Sequence, residues 1–393
     1  MILNYAAQIF PRLIKHKLAR RGLIKPPHPL MLNFSVTNKC QSHCLTCNIW
    51  QLYDKNPEKE KHELNLSEIE KVFSTMQSVF LLNICGGEPT LREDLPDICE
   101  LACKYIKPKV IHFPTNCLSP EKVEKVVRGI LSKIPTKVHL TVKLSLDDIG
   151  EKHDKIRGTP GNFEKLLDTY KRLVKVREEF SNFYLDAGTT VSTMNIDSLR
   201  EIRDYANKNF ELDNFLFEIA DTRAELFNFK KDEGEEIKSD FKDTVENLKV
   251  TPDGWSYSQI TDYLCDEIIK DMKTRRPLSK ITQALRIVYY KRAAKVMTRK
   301  KRIVNCYAGL SNAHLNPWGD LWVCNVQAFR HSMGNVRDFD LNFNKLWHSK
   351  NANEVREWVN QKHCYCPLVG QAFLDTVMSP IELAKVMWYY FKS

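Results

Sequence analysis

Acid is missing from two long stretches of this chain. Residues 1–53 hold no Asp or Glu but carry Arg12, Lys15, Lys17, Arg20, Arg21, Lys25 and Lys39, and residues 272–319 hold none either but carry twelve Lys and Arg. With a formal charge of +10 over 393 residues, the two bands supply +19 and everything else 10 − 19 = −9. Long apolar runs are missing too: none approaches the roughly 18–20 residues of a membrane-crossing helix. Met1–Ile24 places its charges after its apolar residues, the reverse of a secretory signal. Internal repeats and low-complexity tracts are absent. These absences exclude a spanning, secreted or fibrous protein. A composition of 43% hydrophobic and 27% charged residues is that of an ordinary globular chain with room for one large and one small domain. The expected setting is cytoplasmic, with peripheral membrane contact through the basic bands as a further expectation.

Twelve cysteines are present. In a chain without a secretion signal they argue for reduced thiols serving as metal ligands or as small buried hydrophobes, not for a disulfide framework. Along the chain, strand patterns (31–36, 79–85, 110–115, 138–146, 183–193, 214–220) alternate with helical ones (66–76 opened by a capping Ser67, 95–106, 120–131, 163–180, 198–210). Six such alternations predict parallel βα units forming an open, partial (β/α)6 barrel, an α/β fold. A weak amphipathic helix interrupted by Pro11 is expected within 1–29. The barrel is expected over 30–222, a helical linker that turns basic at its end over 223–303, a small cysteine-rich iron–sulfur domain over 304–370, and an amphipathic helix over 371–393.

Cys40, Cys44 and Cys47 form C-x3-C-x2-C on the loop after the first strand. Three soft thiolates this close can face one iron–sulfur cluster; a zinc site completed by His43 is the alternative. Gly86-Gly87-Glu88-Pro89 ends the second strand, where glycines let backbone approach a ligand closely. Together these motifs resemble the radical S-adenosylmethionine (SAM) superfamily. The resemblance extends to Asn116 after strand three, to Ser145 and Asp147 after strand four, which would contact the ribose, and to Arg157 in Lys155-Ile156-Arg157-Gly158, which would reach the cofactor carboxylate. One departure is Thr46, where the family usually has an aromatic residue. The resemblance implies a [4Fe–4S] cluster with one open iron, SAM as cofactor, an electron donor such as a flavodoxin or ferredoxin, and hydrogen abstraction by a 5′-deoxyadenosyl radical.

Four further thiols, Cys306, Cys324, Cys364 and Cys366, lie in the last ninety residues. With Gly319, Met333-Gly334-Asn335, Trp347 and Arg356 they resemble the SPASM or twitch extension of that superfamily, which implies one auxiliary [4Fe–4S] cluster; a zinc site made of the same four is the alternative. Cys85, Cys99, Cys103, Cys117 and Cys265 are not expected to be ligands, although Cys85 or Cys117 could face the substrate. No general base stands out. A small-molecule or lipid-linked substrate is expected first, because only thirty residues precede the first strand where peptide-modifying relatives often carry a leader-binding domain. A peptide maturase is the second reading and a non-enzymatic iron–sulfur or zinc scaffold the third. Nucleic acid is not expected as a partner, since no recognised module accompanies the basic bands.

Overall fold

The computed structural model describes residues 2–220, 250–273 and 277–392. The first third of the linker expected over 223–303, and Arg275 and Arg276 of the second basic band, lie outside them. The N-terminal helix is α1 (Ile2–Arg20). Six parallel strands follow: β1 (Met31–Thr37), β2 (Leu81–Gly86), β3 (Val110–Thr115), β4 (His139–Ser145), β5 (Phe183–Val191) and β6 (Asn214–Ile219). Between β1 and β2 lie α2 (Gln51–Lys55), α3 (Glu58–Lys61) and α4 (Leu66–Ser74). The later crossovers hold α5 (Leu95–Tyr105), α6 (Pro120–Lys133), α7 (Glu151–Arg157), α8 (Asn162–Glu179) and α9 (Leu199–Asn209). The partial barrel expected from the alternation is therefore present.

The sheet does not stop with the barrel. Its order is β6-β5-β4-β3-β2-β1-β7-β8-β9, where β7 (Asn312–Leu315) pairs parallel to β1, and β8 (Asp320–Trp322) and β9 (Ser332–Asn335) continue antiparallel. The C-terminal cysteine region thus grows directly from the barrel's first strand. The opposite edge, β6, is covered by α11 (Pro277–Arg299), which packs on α10 (Gly254–Met272). Phe217 N donates to Tyr290 Oη at 2.9 Å, and Arg286 Nη1 donates to the Phe215 carbonyl at 2.9 Å. Side chains of α11 thereby satisfy backbone groups that an edge strand would otherwise leave open.

The two faces of the barrel sheet differ. Leu82 and Ile84 of β2, Ile111 and Phe113 of β3, Leu140, Val142 and Leu144 of β4, and Phe215 and Phe217 of β6 are buried in one core with Ile98, Val127, Leu166 and Ile202 of the helices. The alternate positions Asn83, Cys85, His112, Lys143, Ser145 and Glu218 are half-buried on the other face, as the two-residue period of a strand requires. That face is the lumen.

Three local expectations change. The cap of α4 is Asn65, not Ser67: Asn65 Oδ1 accepts from Glu68 N at 3.0 Å while Glu68 Oε2 accepts from Asn65 N at 3.0 Å, a reciprocal box. Pro11 lies inside α1 and does not end it; the missing hydrogen bond is offset by burial of Leu13 and by Arg12 Nη2 donating to the carbonyls of Pro29 and Ser78. The C-terminal stretch is two helices, α14 (Val369–Met378) and α15 (Pro380–Lys392). Pro380 forces Ser379 to an extended conformation and starts the second helix. Between β9 and α14 lie α12 (Phe343–Trp347) and α13 (Lys350–Asn360). Among the described residues no helix is long and apolar enough to cross a membrane.

Candidate active site

The cysteine loop leaves the C-terminal end of β1 and is held by its neighbours' backbones. Gly87 N donates to the Thr37 carbonyl and Glu88 N to the Lys39 carbonyl, both at 2.8 Å, so the Gly86–Pro89 turn pairs with the start of the loop. This pairing demands glycine. A Cβ at Gly86, which has φ 110°, would fall 2.1 Å from the Thr37 oxygen, and one at Gly87 would fall 2.1 Å from the Lys39 oxygen. On the far side Leu45 N donates to the Ile156 carbonyl at 2.9 Å, Ser42 Oγ donates to the Arg157 carbonyl at 3.2 Å, and Gly158 leaves no room for a Cβ beside the His43 carbonyl.

This clamping fixes the loop that carries Cys40, Cys44 and Cys47, near enough for their thiols to act on one another, although here as elsewhere among the described residues no three His, Cys, Asp or Glu are grouped to hold a single metal ion. Burial pushes the Cys40 thiol up to about 12, with Cys44 beside it adding to the shift. Cys47 is raised by burial and then by Cys44 and Cys40. Buried thiols that oppose one another's ionisation form a donor set suited to a soft, positively charged metal centre. Burial alone would lower the nearby Arg157 guanidinium, but Cys44, Asp147 and Cys40 around it raise it instead.

The other predicted residues surround this loop. Glu88 is buried: Oε1 accepts from Thr90 Oγ1 at 2.6 Å and Oε2 from Asn116 N at 2.7 Å, tying the end of β2 to that of β3. Asn116 Nδ2 points at Cys40 Sγ (3.7 Å) and Gln41 Oε1 (3.3 Å). Asp147 is fully buried with both oxygens engaged, Oδ1 accepting from Thr190 N at 2.7 Å and Oδ2 from Arg157 Nη1 at 3.0 Å. Arg157 Nε is buried without a hydrogen-bond partner. Ser145 stands half-buried on the lumen face of β4.

Beneath the loop runs a polar lumen that the sequence reading missed. Asn83 Nδ2 donates to Asn33 Oδ1 at 2.7 Å, and Asn83 Oδ1 lies 2.7 Å from His112 Nδ1, linking β1, β2 and β3. Ser35 Oγ bridges Cys85 Sγ (3.5 Å) and His314 Nε2 (2.8 Å). Lys143 Nζ reaches across β5 to Glu218 Oε1 at 2.9 Å, over Gly188, where a Cβ would meet the Lys143 stem at 2.8 Å. A signal was available: fully buried parallel strands read as continuous apolar runs, so polar residues at every second position mark a lumen.

The C-terminal cysteines are gathered less completely. Cys306, Cys364 and Cys366 line one cavity with Arg292, Arg302 and Asp375. Cys324 is buried just beyond β8 and is not part of that lining. Burial, then Asp375 and Cys366, raise the Cys306 thiol well above its ordinary value. Among the described residues no three His, Cys, Asp or Glu are grouped to hold a single metal ion. Arg356 braces this region by donating to the carbonyls of Gly309 (2.6 Å) and Trp347 (2.7 Å).

Residues 34–206 match the sequence profile of the radical SAM superfamily, and residues 306–367 match an iron–sulfur cluster-binding domain. The chain belongs to the radical SAM superfamily. This radical SAM enzyme uses a [4Fe–4S] cluster and SAM, with auxiliary iron–sulfur chemistry in its C-terminal domain. It is 24% identical over 376 residues to the antilisterial bacteriocin subtilosin biosynthesis protein AlbA of Bacillus subtilis, covering 92% of this chain and 70% of that one. To the mycofactocin maturase MftC of Mycolicibacterium smegmatis it is 26% identical over 202 residues, 50% of this chain and 45% of that one. In fold the radical SAM chain resembles Streptococcus suis SuiB, solved bound to precursor peptide SuiA, with TM-score 0.56 and 16% identity over 90% of this chain and 71% of that one. Non-enzymatic scaffolding is thereby set aside.

Proposed function

We propose that this radical SAM enzyme matures a peptide, installing a cross-link or epimerised centre, in place of the small-molecule or lipid-linked substrate expected first. The observation that carries the reading is similarity along 92% of the chain to a protein named for bacteriocin biosynthesis. The likeness in fold to a chain solved with its precursor peptide is in keeping with it.

Cys40, Cys44 and Cys47 hold the cluster, and the Gly86–Pro89 turn lets backbone lie against SAM. When bound, the cluster and SAM supply, on one-electron reduction by a flavodoxin- or ferredoxin-type donor, a 5′-deoxyadenosyl radical that removes a substrate hydrogen atom. The unpartnered Arg157 Nε is a buried cationic donor awaiting an acceptor, and the SAM carboxylate fits it. Asp147, with both oxygens already engaged, orients Arg157, leaving the Ser145 hydroxyl for the ribose. Asn116 lies against the cysteine loop and holds Cys40 in place. The lumen below, with Lys143, Glu218 and the Asn33–Asn83–His112 chain, offers a peptide backbone the donors and acceptors it needs when taken out of water. Cys306, Cys364 and Cys366 hold the auxiliary cluster, with Cys324 as fourth ligand.

Anaerobically reconstituted, reduced enzyme given SAM is expected to release 5′-deoxyadenosine, and Cys40→Ala to release none. A short precursor peptide encoded beside the gene is expected to change mass or stereochemistry in the same reaction. Release of 5′-deoxyadenosine with an unaltered peptide, and turnover of a non-peptide substrate instead, would overturn the peptide reading and leave the radical chemistry standing.

A further inference from the structure

The acid-free bands have a place in the fold that charge counting does not reveal. From α1, Arg20 Nη1 donates to the Cys306 carbonyl, and its guanidinium lies 5.1 Å over the Tyr307 ring. From the segment after α11, Arg302 donates through Nε to the Cys364 carbonyl (3.1 Å), through Nη1 to the Val359 carbonyl (2.6 Å) and through Nη2 to Cys364 Sγ (3.1 Å). From α11 itself, Arg292 is buried in the same cavity wall. Its Nη2 donates to the Ala372 carbonyl, while Nη1 makes no hydrogen bond and lies 3.9 Å from Glu382. The one carboxylate lining the cavity is Asp375, which is occupied: Oδ1 accepts from Tyr307 N at 2.8 Å and from Gln371 Nε2 at 2.6 Å.

We propose that Arg20, Arg292 and Arg302 form a cationic sleeve around Cys306, Cys364 and Cys366 that raises the reduction potential of the auxiliary cluster. The proposal rests on the reading that these cysteines ligate that cluster. Thiolate ligands make an iron–sulfur cluster anionic, and reduction adds one more negative charge. Cations fixed beside a cluster favour its reduced state, and an N–H donated to a ligand sulfur withdraws electron density from the iron, which acts in the same direction. Three guanidiniums, Arg20, Arg292 and Arg302, stand against two carboxylates, Asp375 in the lining and Glu382 beside Arg292, which leaves the surroundings net positive. At the SAM site Arg157, the guanidinium beside the cysteine loop, is hydrogen-bonded and paired to Asp147 at 3.0 Å. The sleeve therefore separates the two clusters in potential and suits the auxiliary one to accept electrons.

The test is a potentiometric titration of the reconstituted, full-length enzyme, reading both clusters by electron paramagnetic resonance in one sample. Arg302→Gln is expected to lower the auxiliary midpoint so that the oxidised-to-reduced ratio at fixed potential rises about tenfold, about 59 mV for a one-electron couple. Arg292→Gln should shift it in the same direction, and Arg302→Lys, which keeps the charge and loses the fork, should fall between wild type and Arg302→Gln. The SAM-site midpoint should stay where it is in all three. If Arg302→Gln fails to load its second cluster, the other two variants decide. An auxiliary midpoint unmoved or raised in the variants that load about eight irons per chain overturns the sleeve alone. About four irons with one zinc in the wild-type enzyme overturns the cluster reading on which it rests.

Discussion

The two cysteine regions of this chain are built in opposite ways. Cys40, Cys44 and Cys47 lie within one loop, and that loop is held by main chain against main chain, with Gly86, Gly87 and Gly158 each abutting a loop carbonyl. Cys306 is separated from Cys364 and Cys366 by some sixty residues of chain, and their segments are held by arginine side chains reaching from distant elements. The first arrangement is rigid and intolerant, since a backbone clash cannot relax by changing a rotamer. The second is adjustable, because long side chains can shift, and each contributes a separable charge. On the proposed assignment, a SAM-binding cluster would gain from the former, and an auxiliary cluster whose potential is tuned by nearby charge would gain from the latter.

The same substitution in both regions gives the largest expected contrast. Gly87→Ala places a Cβ 2.1 Å from the Lys39 oxygen and 2.6 Å from its carbonyl carbon, both backbone atoms. The expected loss is on the order of 4 kcal/mol, together with failure to load the SAM-site cluster. Gly309→Ala, at φ 73°, meets side chains and no backbone: the ends of Met333 and Val323 at 2.7 and 2.8 Å and the Arg356 stem at 3.5 Å. Its expected loss is about 1–2 kcal/mol, with both clusters retained. Chemical denaturation and iron content measure both. Equal losses would mean that the two cysteine regions are held with the same rigidity.

Next in size is Arg356→Met. Arg356 is buried, stacks 4.3 Å from the Trp347 ring and satisfies two carbonyls that water does not reach. Methionine fills much of the volume but leaves both acceptors unpaired, at about 2–3 kcal/mol in total. Hydrogen exchange should show the loss in residues 306–367 and not in β2–β5. A loss spread evenly over the barrel would mean that the side-chain-held region is not separable from it.

Much of this was legible in the sequence, for identifiable reasons. The barrel strands begin and end within two residues of the expected positions because turn residues and apolar runs are local signals. The C-x3-C-x2-C loop could be singled out because its three cysteines sit within eight consecutive residues. What was missed is assembled one residue per strand. Asn33, Asn83 and His112 become a hydrogen-bonded row, and Lys143 finds Glu218, only once strand register is known. The basic bands misled in a related way. A charge count treats Arg12, Arg20, Arg286, Arg292 and Arg302 as charge available to an anionic surface, whereas each donates to backbone carbonyls inside the fold. Ser67 was a plausible cap, but its hydroxyl donates to Asn65 Oδ1 at 2.6 Å and the carboxamide does the capping.

The smallest expected effect compares two buried histidines, one on each side of the contrast. Burial lowers both to about 3: His112 in the barrel lumen, with Lys143 adding to the shift, and His16 on α1, with Arg12 adding to it. Between the ordinary value near 6.5 and that lowered one, the unfolded chain binds a proton that the folded chain refuses. The stability each neutral imidazole permits is therefore present above about pH 6.5 and is lost as the pH falls, by about 1.4 kcal/mol at roughly pH 5.5. Their partners differ. His112 bonds Asn83, so His112→Leu should cost about 1–2 kcal/mol at neutral pH by orphaning Asn83 Oδ1. Both ring nitrogens of His16 are buried without a hydrogen bond, so His16→Leu should stabilise the protein by about 1 kcal/mol. Each variant should flatten the acid limb of a stability–pH curve by the same amount. Opposite signs at neutral pH with equal flattening would place a satisfied polar network in the lumen and an unsatisfied, replaceable histidine under α1. A destabilised His16→Leu would mean that α1 is held by a specific contact of that imidazole and not by Arg12, Leu13 and Arg20.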